Sequence, residues 1–153
     1  MVVAPRLTPS SDIKPDNILL DAKGHAALTD LNIAMHYSRH RLHTSVAGSM
    51  AYMAPEVVDE RRPGYSWQVD WWSLGVCVYE LLWHRRPFDG NSAEKMRDSI
   101  LTHPIRKPSN RHGAVSNECA AVVFGVSLRI WSDGCPTNAR LDLSFSSETQ
   151  RGG

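Results

Sequence analysis

The run from Val69 to Leu82, Val-Asp-Trp-Trp-Ser-Leu-Gly-Val-Cys-Val-Tyr-Glu-Leu-Leu, constrains the fold more than any other stretch of the chain. Wound as a helix it is apolar on nearly every face, so it must be a core helix covered by other elements. Ser66 stands where an N-cap would. A membrane span does not fit, because the run is shorter than about 18 residues and contains Asp70 and Glu80. Asp70 is then a carboxylate close to a core, and a buried charge without donors is costly or shifts its pKa. Either it finds donors in a neighbouring loop, or it is a first-turn acid favoured by the helix dipole.

Ahead of that helix lie three short motifs in a fixed order. Asp12-Ile13-Lys14-Pro15-Asp16-Asn17 comes first, Asp30-Leu31-Asn32 follows, and Ala54-Pro55-Glu56 closes the series. Each is weak alone, since D-x-x-x-x-N arises often by chance and Ala-Pro-Glu reads equally well as a turn before a helix. Their conjunction is much more specific. Between the first two, Asn17 to His25 reads as an apolar strand and a four-residue turn closing on Gly24, with a second strand from Ala26 to Leu28. That hairpin would carry Asp30 back beside Asn17.

Together these residues resemble a protein kinase of the Ser/Thr type. The resemblance implies that Asp12 accepts the proton of the attacking hydroxyl, that Lys14 faces the transferring phosphoryl group of ATP, and that Asn17 and Asp30 hold Mg²⁺. Hard cations prefer such oxygen ligands. Ala47-Gly48-Ser49-Met50-Ala51-Tyr52-Met53-Ala54-Pro55-Glu56 resembles the end of a kinase activation segment, with Ser49 keeping a hydroxyl where Thr is usual. Val69 to Leu82 is similar to the central helix of the large lobe, in which the residue matching Asp70 bonds the catalytic-loop backbone. Arg86-Pro87-Phe88-Asp89-Gly90 is similar to the loop that follows it. Asn32 in place of the usual Gly, with Asp70-Trp71-Trp72-Ser73 and Arg85-Arg86-Pro87-Phe88, most resembles the YANK branch. The implied fold is mainly α, of the α+β family: a large, C-terminal kinase lobe over residues 12–124.

The chain also departs from the family pattern. Met1 to Ser11, an unassigned tail, holds no glycine, no G-x-G-x-x-G and no V-A-I-K-like lysine, so the small lobe that covers ATP is expected to be absent. Ser10-Ser11 stands where kinases carry His-Arg. Val115 to Cys119 resembles the start of a late kinase helix, but residues 125–153 match nothing in the family and are expected to be partly disordered, the polar Ser144 to Gly153 above all. Arg140, in a P-x-x-R-like element with one residue too many, is a candidate partner for Glu56.

Composition excludes several other functions. With 17 basic and 16 acidic residues in 153, net charge +1, there is no field to attract nucleic acid or a membrane surface. Cys77, Cys119 and Cys135 are an odd, scattered set without C-x-x-C spacing, which fits a reducing compartment. The first residues form no apolar signal segment, so a cytoplasmic location is expected. His36 and His40, at i, i+4 spacing beside His43, could offer imidazoles to Zn²⁺ on a helix, but no Cys or Glu nearby completes the set. A basic activation loop is the ordinary explanation, with Thr44 and Ser45 as candidate phosphorylation sites beside Arg39 and Arg41. Three readings stand at this point: a Ser/Thr protein kinase acting on Ser/Thr hydroxyls of protein substrates, a catalytically inactive kinase-derived binding module, and the product of a defective gene model. Oligomeric state is not legible.

Overall fold

A computed structural model describes residues 12–34, 42–106, 108 and 115–132. It is mainly helical with one small sheet, as the sequence leads one to expect. Pro15–Asn17 forms a single 3-10 turn, followed by strands β1 (Ile18–Leu20) and β2 (Ala26–Leu28). A second 3-10 turn, Met50–Tyr52, leads into the short helix α1 (Pro55–Val58), and the longer helices α2 (Val69–Trp83), α3 (Ala93–Thr102) and α4 (Asn117–Ser132) complete the lobe. Helix α4 runs without a break past Gly125, where recognisable family sequence was expected to stop.

The hairpin forms where the sequence places it. β1 and β2 pair antiparallel with Ile18 opposite Leu28 and Leu20 opposite Ala26. Its turn is organised by one side chain: Asp21 Oδ1 accepts from the backbone N–H of Lys23 and of His25, each at 2.8 Å. Gly24 supplies the positive φ of 83° that the turn requires. At the hairpin's open end, Thr29 N donates to Asn17 O at 2.9 Å, which brings the chain back to where it left.

Helix α2 is the floor of the lobe. Val69, Trp72, Ser73, Val76, Cys77 and Tyr79 are buried along it. Trp72 stacks on Phe88, with ring centroids 5.9 Å apart and planes 10° from parallel. Tyr79, Trp83 and Phe124 form an aromatic chain that joins α2 to α4. Two polar side chains of α2 find partners on the second 3-10 turn: Ser73 Oγ donates to Tyr52 O at 2.8 Å, and Glu80 Oε2 accepts from Tyr52 Oη at 2.6 Å. Burial, reinforced by Glu80, pushes the Tyr52 phenol well above its ordinary pKa, so it stays a donor.

One expectation about α2 needs correction. Ser66 does not cap it. Gln68 holds the N-cap position, with no side-chain cap; Ser66 Oγ bonds the Gln68 side chain, and the first helical amides are met by backbone carbonyls of the preceding turn, Val69 N to Ser66 O and Asp70 N to Trp67 O. A tight turn running directly into the helix leaves no orphan donor for a serine to reach. Part of the helix's apolar surface stays open: Trp71 is 42% and Leu81 62% exposed. With half-buried Leu74 and Val78 between them, they form one stripe at spacings of three and four residues. The 153-residue polypeptide expressed alone is therefore expected to self-associate through this stripe. Gel filtration checks this: the original elutes as oligomer or aggregate, and Trp71→Lys with Leu81→Lys moves it toward monomer. A monodisperse, unmodified monomer would count against it.

Candidate active site

The site begins with the first turn of the described chain. Ile13 is buried with its carbonyl facing the Cys77 thiol on α2, Sγ to O at 3.7 Å, which seats the loop on the helical floor. Pro15 then starts the 3-10 turn that brings Asn17 back under Asp12, with Asn17 N donating to Lys14 O at 3.0 Å. Proline at a first helical position is preorganised for this, because its φ is fixed and its missing N–H is not needed.

Asp12 is the centre of a dense network. Asn17 Nδ2 donates to Asp12 O at 3.0 Å and to Asp12 Oδ2 at 3.2 Å. Lys14 Nζ lies 2.8 Å from Oδ2, and Ser49 N, from a segment far along the chain, donates to Oδ1 at 2.9 Å. Lys14 Nζ also donates to Ser49 Oγ at 3.1 Å. The Asp12 side chain is only 12% exposed. Burial pushes its carboxyl up, but the hydrogen bonds from Lys14 and from the Ser49 amide outweigh burial and hold it below the usual carboxylate value. Lys14 moves the other way: the Asp12 hydrogen bond, opposed by desolvation and helped by the fields of Asp12, Asp16 and Asp30, raises its pKa. The ion pair is therefore formed at neutral pH. Because the folded pKa of Asp12 is depressed, the order it confers is present above its usual value of 3.8 and is lost as pH falls through the folded value.

Asp30 follows the hairpin and reaches the same neighbourhood, close enough for its charge to act on Lys14. It sits in left-handed backbone, φ 56°, which aspartate tolerates better than most residues. Asn32 Nδ2 holds Asp30 Oδ1 at 2.5 Å, a fixing role that the sequence reading did not assign to that asparagine.

The donors present suit a hard cation and a proton acceptor. Both hydrogen bonds of the Asn17 amide run from Nδ2, leaving its carbonyl oxygen for a ligand, and Asp30 has a second carboxylate oxygen beyond the one Asn32 holds. Asp12 Oδ2 already accepts from both Asn17 and Lys14, but Oδ1 accepts from the Ser49 amide and keeps a further lone pair with which to accept a hydroxyl proton. Beside this cluster a cleft of about 570 Å³ runs from Lys14 and Ser49 past Tyr52 and Arg86 to Met96 on α3. Gly90 forms part of its wall, where it lies against the Met96 backbone too closely for a Cβ to fit.

The other candidates fare differently. His43 forms an antiparallel bridge with Tyr65, N to O at 2.9 Å in both directions, and its ring packs against that tyrosine. His36, His40, Arg39, Arg41, Cys135 and Arg140 lie outside the described residues, as do Ser10 and Ser11. Among the described residues no group of three or more His, Cys, Asp or Glu side chains could hold a metal ion, and no helix is long and apolar enough to cross a membrane. Thr44 and Ser45 are exposed, with Ser45 O accepting from Tyr65 Oη at 2.5 Å. Asp70 is half-buried in the first turn of α2 and is not without a partner.

Glu56 behaves otherwise. Its Oε2 is buried without a hydrogen bond among the described residues, and desolvation raises its pKa, opposed in part by its own backbone and by the Arg62 charge. A raised folded pKa means that stability is greatest below the usual value of 4.5 and declines as pH rises through the folded value. Glu56→Gln is therefore expected to stabilise the fold at pH 7–8 by about 1–2 kcal/mol and to flatten that decline. Urea midpoints of both proteins between pH 4.5 and 8 check this; a destabilised variant at pH 8 would mean that a cation outside the described residues, such as Arg140, holds the carboxylate.

Comparison with known sequences gives a consistent result. The family described as "Protein kinase domain" matches residues 10–128. Human serine/threonine-protein kinase 32B is 52% identical over 93 residues, 59% of this chain and 22% of that protein. Human serine/threonine-protein kinase 32C is 48% identical over 92 residues, 58% of this chain and 19% of that protein. The plant kinase AtPK1/AtPK6 of Arabidopsis thaliana is 37% identical over 115 residues, 75% of this chain and 23% of that protein. The chain thus spans about a fifth of the length of the curated relatives it matches.

Proposed function

Since the chain belongs to the protein kinase domain family, with serine/threonine-protein kinases among its relatives, we propose that it forms the large-lobe part of an enzyme transferring the γ-phosphate of ATP to Ser or Thr hydroxyls of proteins. The observation that carries this reading is the junction at Asp12. One carboxylate is held by Asn17, by Lys14 and by the Ser49 amide, at the place where the hairpin delivers Asp30.

In this reading Asp12 orients the acceptor hydroxyl and takes its proton, its depressed pKa ensuring that it is charged when the hydroxyl arrives. Lys14, fixed by Asp12 and Ser49, offers a cation to the phosphoryl oxygens. Asn17 and Asp30 would hold Mg²⁺, which when bound neutralises phosphate charge. Ser49 keeps the end of the activation segment against the catalytic loop, so the protein substrate and the base share one frame.

The experiment is to join the chain to the small lobe of human serine/threonine-protein kinase 32B and supply radiolabelled ATP, Mg²⁺ and a generic Ser/Thr protein substrate. Label on Ser or Thr that vanishes with chelator is expected. A folded chimera that transfers no label would overturn the reading.

A further inference from the structure

The cleft beside Asp12 contains a cation that phosphoryl transfer does not use. Lys14, on one wall, is answered by Asp12 at 2.8 Å and by the field of Asp16. Arg86, on the same cleft, is exposed and has no carboxylate within salt-bridge distance among the described residues. Glu80 is near enough to act, like Arg86, on the Tyr52 phenol, but it accepts that phenol at 2.6 Å and forms no ion pair with the guanidinium. Most of the remaining wall is apolar or uncharged, from Met50, Ala51 and Met96. Among the described residues Asp16 is the one carboxylate lining the cleft, and it belongs to the Lys14 side of the charge balance.

A peptide whose hydroxyl sits at Asp12 must place the residues next to that hydroxyl in this cleft, because Lys14 and Ser49 belong to both. Its neighbouring side chains then meet a guanidinium that forms no ion pair among the described residues, a planar fork of donors that matches a carboxylate. We propose that Arg86 makes this chain select protein substrates carrying Asp or Glu within a few residues of the acceptor Ser or Thr. The proposal rests on the kinase reading above. It makes Arg86 a specificity-determining residue and gives it no part in the transfer itself.

The test measures binding, without ATP. The full chain is immobilised on a sensor surface and exposed to three peptides identical except that the residues flanking a single Ser are Glu, Ala or Lys. The expected order is Glu over Ala over Lys, with each step about two- to fivefold, the range of partly exposed ion pairs. Arg86→Glu is expected to invert the order, and Arg86→Lys to retain it, while circular dichroism confirms unchanged helix content in both. Equal binding of the three peptides, no binding of any, or an order that Arg86→Glu leaves in place overturns the proposal. A chain that sorts the peptides by charge while its chimera transfers no phosphate disproves the catalytic reading alone.

Discussion

Expressed on its own, the 153-residue polypeptide is expected to transfer no phosphate above background, whereas the chimera carrying a small lobe is expected to be active and to lose about 10²- to 10⁴-fold in rate on Asp12→Asn. The two halves of this prediction have different causes. In the proposed reading Asp12 would supply a base, Lys14 a cation, and Asn17 and Asp30 ligands for hard ions, but phosphoryl transfer depends mostly on positioning. On the open side of the site, water screens each contact and nothing fixes the γ-phosphate in line with a hydroxyl. Once a lid is supplied, Asp12 becomes the group on which transfer turns, and replacing it with Asn keeps the hydrogen bonding to Ser49 while removing the base. A radiolabelled ATP assay on chain, chimera and both Asp12→Asn variants decides it. Signal from the chain alone that disappears in its Asn variant would show that the lobe catalyses unaided.

The largest loss of stability is expected from Phe88→Ala. Phe88 is 1% exposed, ranks among the largest fully buried side chains and lies flat against Trp72 of the central helix. Removing the ring deletes its transfer free energy and its stacking, and leaves a cavity in the loop that joins α2 to α3, for a cost of about 3–5 kcal/mol. Small domains retain only about 5–15 kcal/mol in total. Most of the variant is then expected to be unfolded or insoluble at 37 °C, visible as a urea midpoint shifted far below that of the original. A shift corresponding to less than about 1 kcal/mol would show that the surroundings collapse onto the vacated space.

Different parts of this molecule were legible in the sequence to different degrees. The hairpin was readable because its signals are local: an apolar run, an Asp and a Gly at turn spacing, then a second apolar run. Helix α2 was readable from its composition. Its cap was not, because whether Ser66 or a backbone turn satisfies the first amides depends on the angle at which the chain enters, and a nearby serine looks the same in either case. Nor could periodicity tell which faces of α2 stay open, since Trp71 and Leu81 read like core residues yet stay 42% and 62% exposed. At the site, residue types and order pointed to Asp12, Lys14, Asn17 and Asp30; the first three share hydrogen bonds, and Asp30 follows Thr29, whose amide bonds Asn17 O. The amide of Ser49 and the clamp by Asn32 were missed as contacts, although both residues stood out as substitutions within a family motif. A backbone donor carries no signature in the letter that bears it. Arg86 was visible only as part of a motif, because its role depends on which carboxylates lie near it in space.

Cys77 has a consequence of another kind. Its thiol is buried beneath the Asp12 to Asn17 turn against Ile13 O, and burial, with the Glu80 charge, pushes its pKa up to about 12. Alkylating reagents attack the thiolate, so in the closed lobe Cys77 is protected twice, by lack of access and by lack of ionisation. Cys119, on α4, is only partly covered. The molecule is therefore expected to contain its own clock: alkylation of Cys77 should proceed only as often as the Asp12 to Asn17 turn lifts from the helical floor, and its rate would measure that lifting with no nucleotide present.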